Sequence, residues 1–103
     1  MAITNYVLGT SPANIYTSVN NTVVSTMYFC NKNTAAINLN VFLLPNGATV
    51  ANLNYQIYAN VQLASDDTYV VDMEKLVFAN GDKIAAFATV ANVVTATVSY
   101  VGI

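Results

Sequence analysis

No stretch of this chain sustains a helical period, while several stretches repeat every two residues. Ile37, Leu39, Val41 and Leu43 are apolar at alternate positions with Asn38 and Asn40 between them, and Phe42 and Leu44 interrupt that polar face. Tyr55, Ile57, Ala59, Val61 and Leu63 alternate with Gln56, Tyr58, Asn60 and Gln62. Val94, Ala96, Val98 and Tyr100 alternate with Thr95, Thr97 and Ser99. Successive side chains of a strand point to opposite faces, so each pattern predicts a strand with one face on a core and one face wet. Thr22–Cys30 differs. Met27 and Phe29 share one face, and Val24, Tyr28 and Cys30 the other. A strand apolar on both sides is either central and covered twice or part of a subunit contact.

Turn chemistry separates these runs. Asn31–Ala35 follows the first of them. Leu44–Ala48 holds Pro-Asn-Gly, with Pro45 suited to the second turn position and Gly47 to a positive φ. Ala64–Asp67 precedes a short strand, Thr68 to Asp72. Asn80-Gly81 predicts a two-residue hairpin turn between Lys75–Phe78 and Lys83–Val90. Ala91–Val93 is a weaker turn before the final strand, and helix is expected only as a turn near Asp72 to Lys75. Some seven or eight short strands at about 8–12-residue spacing predict an all-β fold, an antiparallel β-sandwich of jelly-roll or immunoglobulin-like type or a small barrel. Residues 1–12, ending at Ser11-Pro12, read as an extended arm or edge strand, and residues 13–103 as a single domain.

Composition narrows the function classes. Hydrophobic residues make up 55% of the 103 and charged residues 8%, against about 25% charged in an ordinary soluble domain. Three lysines and no arginine cannot neutralise a row of phosphates, so no nucleic-acid partner is expected. With no histidine, the commonest general base and metal ligand is missing, and no Ser-His-Asp or Cys-His arrangement can be assembled. No catalytic residue and no cofactor is expected. Met1–Leu8 has no basic residue and no long apolar run, so no secretory signal is expected there, and no apolar run approaches the length of a membrane span. The surface left by this composition is neutral Asn, Thr, Ser, Gln and Tyr, which gives little charge repulsion between copies. Such a surface suits a protein packed against other subunits.

Seven of the eight charged residues fall between Asp66 and Lys83. Asp66, Asp67 and Asp82 are candidates for a calcium site, since a hard cation wants several oxygen ligands. Asp67 with Asp72 or Glu74 is a candidate carboxylate pair for glycoside hydrolysis. The plainer reading is loop capping by Asx-type turns. Cys30 is alone, which rules out an intrachain disulfide, and reads as a small space-filler in a strand. Seven tyrosines suit a subunit interface or a glycan platform, with the interface ranked first. The candidate contact residues are Ile3, Tyr6, Val7 and Leu8 of the arm, with Tyr16, Tyr28 and Tyr58.

The segment IYANVQLASDDTYVVDMEKLVFANGDKIAAFATVANVVTATVSYVGI, with IYTSVNNTVVSTMYFCNKNTAAINLNVFLL upstream, resembles small β-sandwich structural proteins of tailed-phage virions. The likeness covers roughly residues 14 to 103 and lies in the order of strands and turns: a Tyr/Val strand, an Asp-Thr turn, LVFANGDKI, an Ala-rich strand and the closing VTATVSYVGI. It implies a virion component assembled in the host cytoplasm, such as a capsid decoration or cement protein. Its partners would be the major capsid protein or other virion proteins, and it would form a homo-oligomer of trimer type. The alternatives are a neck or tail accessory, or a displayed module that binds carbohydrate or the host surface. No catalytic residue is carried over by the resemblance.

Overall fold

A computed structural model describes residues 2–48, 55–71 and 76–103. Nine strands follow in order: β1 (Ala2–Val7), β2 (Ala13–Thr17), β3 (Thr22–Asn31), β4 (Ile37–Leu44), β5 (Gln56–Leu63), β6 (Thr68–Val71), β7 (Leu76–Phe78), β8 (Lys83–Ala88) and β9 (Val94–Gly102). Among the described residues there is no α-helix. The expected helical turn near Asp72 to Lys75, Asp72 as a strand end, and the Asp72 and Glu74 carboxylates lie outside the described residues.

The strands form two antiparallel sheets. The first runs β1-β9-β3-β6, with β7 also on β3, and the second runs β2-β8-β4-β5. β6 pairs with Met27–Cys30 and β7 with Thr22–Val24, so both lie along the same side of β3. Counted as one interrupted strand, they give eight strands in the orders 1-8-3-6 and 2-7-4-5. This is the jelly-roll arrangement of two Greek keys, not the immunoglobulin-like one.

Consecutive strands therefore change sheet at nearly every turn; the exceptions are β4 and β5 in the second sheet and the two pieces β6 and β7 in the first. The Asn80-Gly81 turn accordingly joins β7 in the first sheet to β8 in the second and closes no hairpin. Its backbone gives the reason. Asp82 N–H donates to Ala79 C=O, and Gly81 takes φ of 88° while Asn80 is not left-handed. That is a type II turn, whose twist splays the flanking strands instead of pairing them. At the second glycine turn Ala48 N–H donates to Pro45 C=O, and Gly47 takes φ of 84°. Pro45 thus stands first in that turn, one place earlier than the sequence pattern suggested.

Between the sheets lies one core, with Leu8, Met27, Phe29, Leu39, Val41, Ile84, Val94 and Val98 almost wholly buried. Each such side chain contributes about 1.5–3 kcal/mol relative to exposure. The alternation on β9 holds: Val94, Ala96 and Val98 are buried, and Tyr100 packs against the same core.

Irregular registers change two other faces. On β3 the register shifts between Val24 and Thr26, which turns Val24 inward with Met27 and Phe29 and leaves Tyr28 and Cys30 outside. On β5 the register shifts twice, between the pairs Leu39↔Val61 and Val41↔Tyr58 and between that pair and Phe42↔Gln56. Asn60 takes φ of 52° there, a left-handed value that Asn tolerates better than most residues. The buried Asn40 holds the distortion, its Oδ1 accepting from Asn60 N–H at 3.0 Å and Gln56 Nε2 at 2.9 Å. Tyr58, Val61 and Leu63 face the core as a result, while Ile57 and Ala59, expected inside, are exposed.

Candidate functional site: an uncharged sheet face

The outer face of the first sheet follows from its pairing. Residues directly opposite one another in an antiparallel ladder point to the same side. Val94, Ala96 and Val98 point into the core, so Thr95, Thr97, Ser99 and Val101 point out. Their partners on β1 are Val7, Asn5 and Ile3, and on β3 Cys30, Tyr28, Thr26 and Val23. β6 and β7 add Thr68, Val70 and Val77. No described residue of this face carries a charge.

Ile3, Val7, Tyr28, Val70, Val77 and Val101 are all exposed here, Ile3 to 65% and Val77 to 68%. The polar groups between them bond mainly to each other. Thr97 Oγ1 donates to Asn5 Oδ1 at 2.8 Å, and Ser25 Oγ donates to the Ser99 carbonyl at 3.2 Å. Side chains already bonded to neighbours lose less when water is removed. Cys30 is half-buried on this face, between Thr68 and Thr95 in the ladder.

The outer face of the second sheet is apolar too, but the chain covers it. Phe42, Leu44 and Ala85 are buried there, with Ala48, Tyr55 and Phe87 packed against them. Beside that cluster a cavity of about 300 Å³ is lined largely by Leu43, Leu44, Tyr55, Leu76 and Phe78, with Asp82 and Lys83 as its charged groups.

The candidate contact residues fall into three groups. Ile3, Val7 and Tyr28 stand on the uncharged face. Tyr6 is 40% exposed but pairs with Ala96 and points to the inner side of β1. Leu8, Tyr16 and Tyr58 are turned toward the core, and this corrects their assignment. Leu8 is fully buried and donates its N–H to Val94 C=O, so of the two readings of the N-terminal residues the structure takes the edge strand, fastened along β9, and not the free arm. Tyr16 packs against Tyr100 and Phe78 at 4.7 and 5.9 Å between ring centroids, and its hydroxyl meets Thr22 Oγ1 at 2.6 Å. Tyr58 stands edge-on to Tyr69 at 5.6 Å. Burial raises the Tyr58 pKa, and the charge and hydrogen bond of Tyr69 raise it further. Val70, Val77 and Val101 were not singled out from the sequence. For Val70 and Val77 the signal lies in Thr68–Val71 and Leu76–Phe78, but each segment is too short for a face to be assigned.

The Asp82 and Asp67 side chains cap turns. Asp82 Oδ1 accepts from Asn46 N–H and Oδ2 from Ala79 N–H, both at 2.9 Å, tying the two glycine turns together. Asp67 Oδ1 accepts from Thr68 N–H at 2.9 Å, and Asp66 takes a left-handed φ of 57° in the Ala64–Asp67 turn. Among the described residues no three of the Asp, Glu and Cys side chains come together as a metal site. No family model, no curated protein and no solved structure matches this chain.

Proposed function

We propose that this chain is a non-enzymatic structural protein of a tailed-phage virion, a capsid decoration or cement protein that lays the outer face of its first sheet on the major capsid protein. The observation that carries the reading is that face, open and without charge among its described residues, where exposed Ile3, Val7, Tyr28, Val70, Val77 and Val101 stand among hydroxyl and amide side chains. Several large apolar side chains exposed on one side of a small domain suit an interaction site. Charge is depleted at the centre of protein interfaces because each buried ion must be desolvated. The resemblance over residues 14 to 103 supplies the kind of assembly. The sequence, without His or Arg, offers no tuned acid–base pair for an enzymatic alternative. A glycan-binding role through Tyr58 has less support, since that ring is packed against Tyr69.

The test adds the purified full chain to particles lacking it and measures occupancy by electron microscopy and particle melting with and without the protein. Wild type should occupy repeated positions on the head and raise the melting temperature. Val70→Lys and Val77→Lys should stay folded and fail to bind. Ile57→Lys, exposed on the opposite sheet, should bind as wild type does. Normal occupancy by both face variants would remove this face as the contact, and occupancy at the tail alone would replace the decoration role with an accessory one.

A further inference from the structure

We infer that β1 is a dimerisation edge, where Ala2–Val7 pairs antiparallel with the same segment of a second copy, Asn5 opposite Asn5. The sandwich has four sheet edges: β1, β2, β5, and β6 with β7. Three are blunted. β2 carries a register shift at Asn14/Tyr16, β5 carries two, and β6 and β7 are short strands separated by residues 72–75. Bulges and short strands are the usual means of keeping an edge from pairing. β1 has neither. Its ladder to β9 runs through six successive pairs without a shift. It bears no charge and no proline, and all its residues but Thr4 are exposed.

The free backbone groups of this edge can be assigned. Leu8, which follows β1, sends its N–H to β9, at Val94 C=O. In an antiparallel ladder the direction of N–H and C=O alternates along the strand. Tyr6 and Thr4 therefore face β9, and Val7, Asn5 and Ile3 present both backbone groups to the open side. That edge is self-complementary about Asn5. With Asn5 opposite Asn5, Ile3 stands opposite Val7 of the partner subunit and Val7 opposite Ile3 of the partner subunit. All three residues then exchange both backbone bonds. Sliding the register by two residues loses one of these residues from each strand, and sliding it by one points the free groups away from each other.

The same register keeps outward side chains outward. Ile3 lies beside Val7 of the partner subunit, and the uncharged faces of two copies join into one eight-stranded surface. A specific interface takes about 800 Å² from each partner, and pairing doubles the face a single particle-bound unit can offer. The two-fold closes on itself and consumes both unguarded edges, so the product is a dimer and not a fibre. This pairing stands whether or not the chain decorates a virion.

The experiment measures the mass of the full chain in solution by analytical ultracentrifugation across its concentration range, with three variants. Wild type should show twice the chain mass. Asn5→Pro removes an N–H that faces away from β9, so it should keep the fold, by circular dichroism, and sediment as a monomer. Asn5→Cys in a Cys30→Ser background should cross-link to a covalent dimer on mild oxidation. Opposed residues of a hydrogen-bonded pair have Cα atoms about 5.5 Å apart, within disulfide range. Ile3→Cys in the same background should not cross-link, because the two Ile3 positions are roughly 14 Å apart at strand rise. A wild-type monomer or trimer, a dimer that persists in Asn5→Pro, or equal cross-linking through Ile3→Cys would each overturn the pairing. If Asn5→Pro fails to fold, the two cysteine variants decide the matter alone.

Discussion

The two outer faces of the sandwich are built from similar residues and end in different states. The second sheet's face carries Phe42, Leu44 and Phe87, and the chain folds Ala48 and Tyr55 against them. The first sheet's face carries Ile3, Val7, Tyr28, Val70, Val77 and Val101, and those side chains stay exposed. Apolar content alone therefore does not distinguish a core from a contact surface. What distinguishes them is whether the chain spends a segment on covering the face. Ala48 and Tyr55, at the two ends of the connection from β4 to β5, do so on one side, whereas the first sheet has its own strands and nothing described above them.

If that difference is physical, the same truncation should behave differently on the two faces. Phe42→Ala, on the covered face, should cost about 3–5 kcal/mol in denaturant unfolding. A loss under about 1 kcal/mol would mean that this face is effectively open as well. Asn40→Ala should cost about 1–3 kcal/mol, because it strips the acceptor from the Asn60 N–H that holds β5 in its bulged register. Gly81→Ala should cost about 1–2 kcal/mol for the left-handed backbone alone, and more if Asn46 cannot move, since an added Cβ would lie 2.6 Å from its Cγ. Val77→Ala, on the open face, should change stability by no more than about 0.5 kcal/mol while weakening any docking there. A stability loss comparable to that of Phe42→Ala would show that the open face is covered after all.

Tyr58 belongs to neither outer face and gives a control in pH. Its pKa is raised in the folded state by burial and by Tyr69. The unfolded chain therefore ionises first, and stability is lost as pH rises from about 10, the free tyrosine value, through the folded pKa. Melting curves should show a shallower alkaline decline for Tyr58→Phe, and an identical decline would refute the assignment.

The sequence made the sandwich legible wherever a strand ran without irregularity. β9 is the clearest case, with Val94 to Tyr100 alternating as read. β5 reads equally cleanly and comes out turned over at one end, because Asn60 leaves the extended backbone and adds a residue opposite Asn40. An asparagine in an alternating run looks like any polar residue facing water, so local pattern could not show this. Leu8 looked like part of a free arm because its partner, Val94, is remote in the chain. Asn80-Gly81 looked like a hairpin because dipeptide chemistry reports a turn but not which sheet the next strand joins. The uncharged face was legible only in outline. Low charge and the Thr/Val alternation were visible, but the assembly of Ile3, Tyr28, Val70 and Val77 on one side needed the order β1-β9-β3-β6.

That order also has a consequence in time. Among the described residues β9 is the sole ladder partner of β1, and it lies between β1 and β3. During synthesis β1 emerges well before β9 and waits for residues 94–102 before it can pair within the described sheet. Until then, two copies on neighbouring ribosomes can meet through either side of β1. Contacts this remote in sequence close slowly. In the interval before β9 arrives, β1 and β3 both lack the strand that joins them, so each presents an open edge that the finished sheet closes.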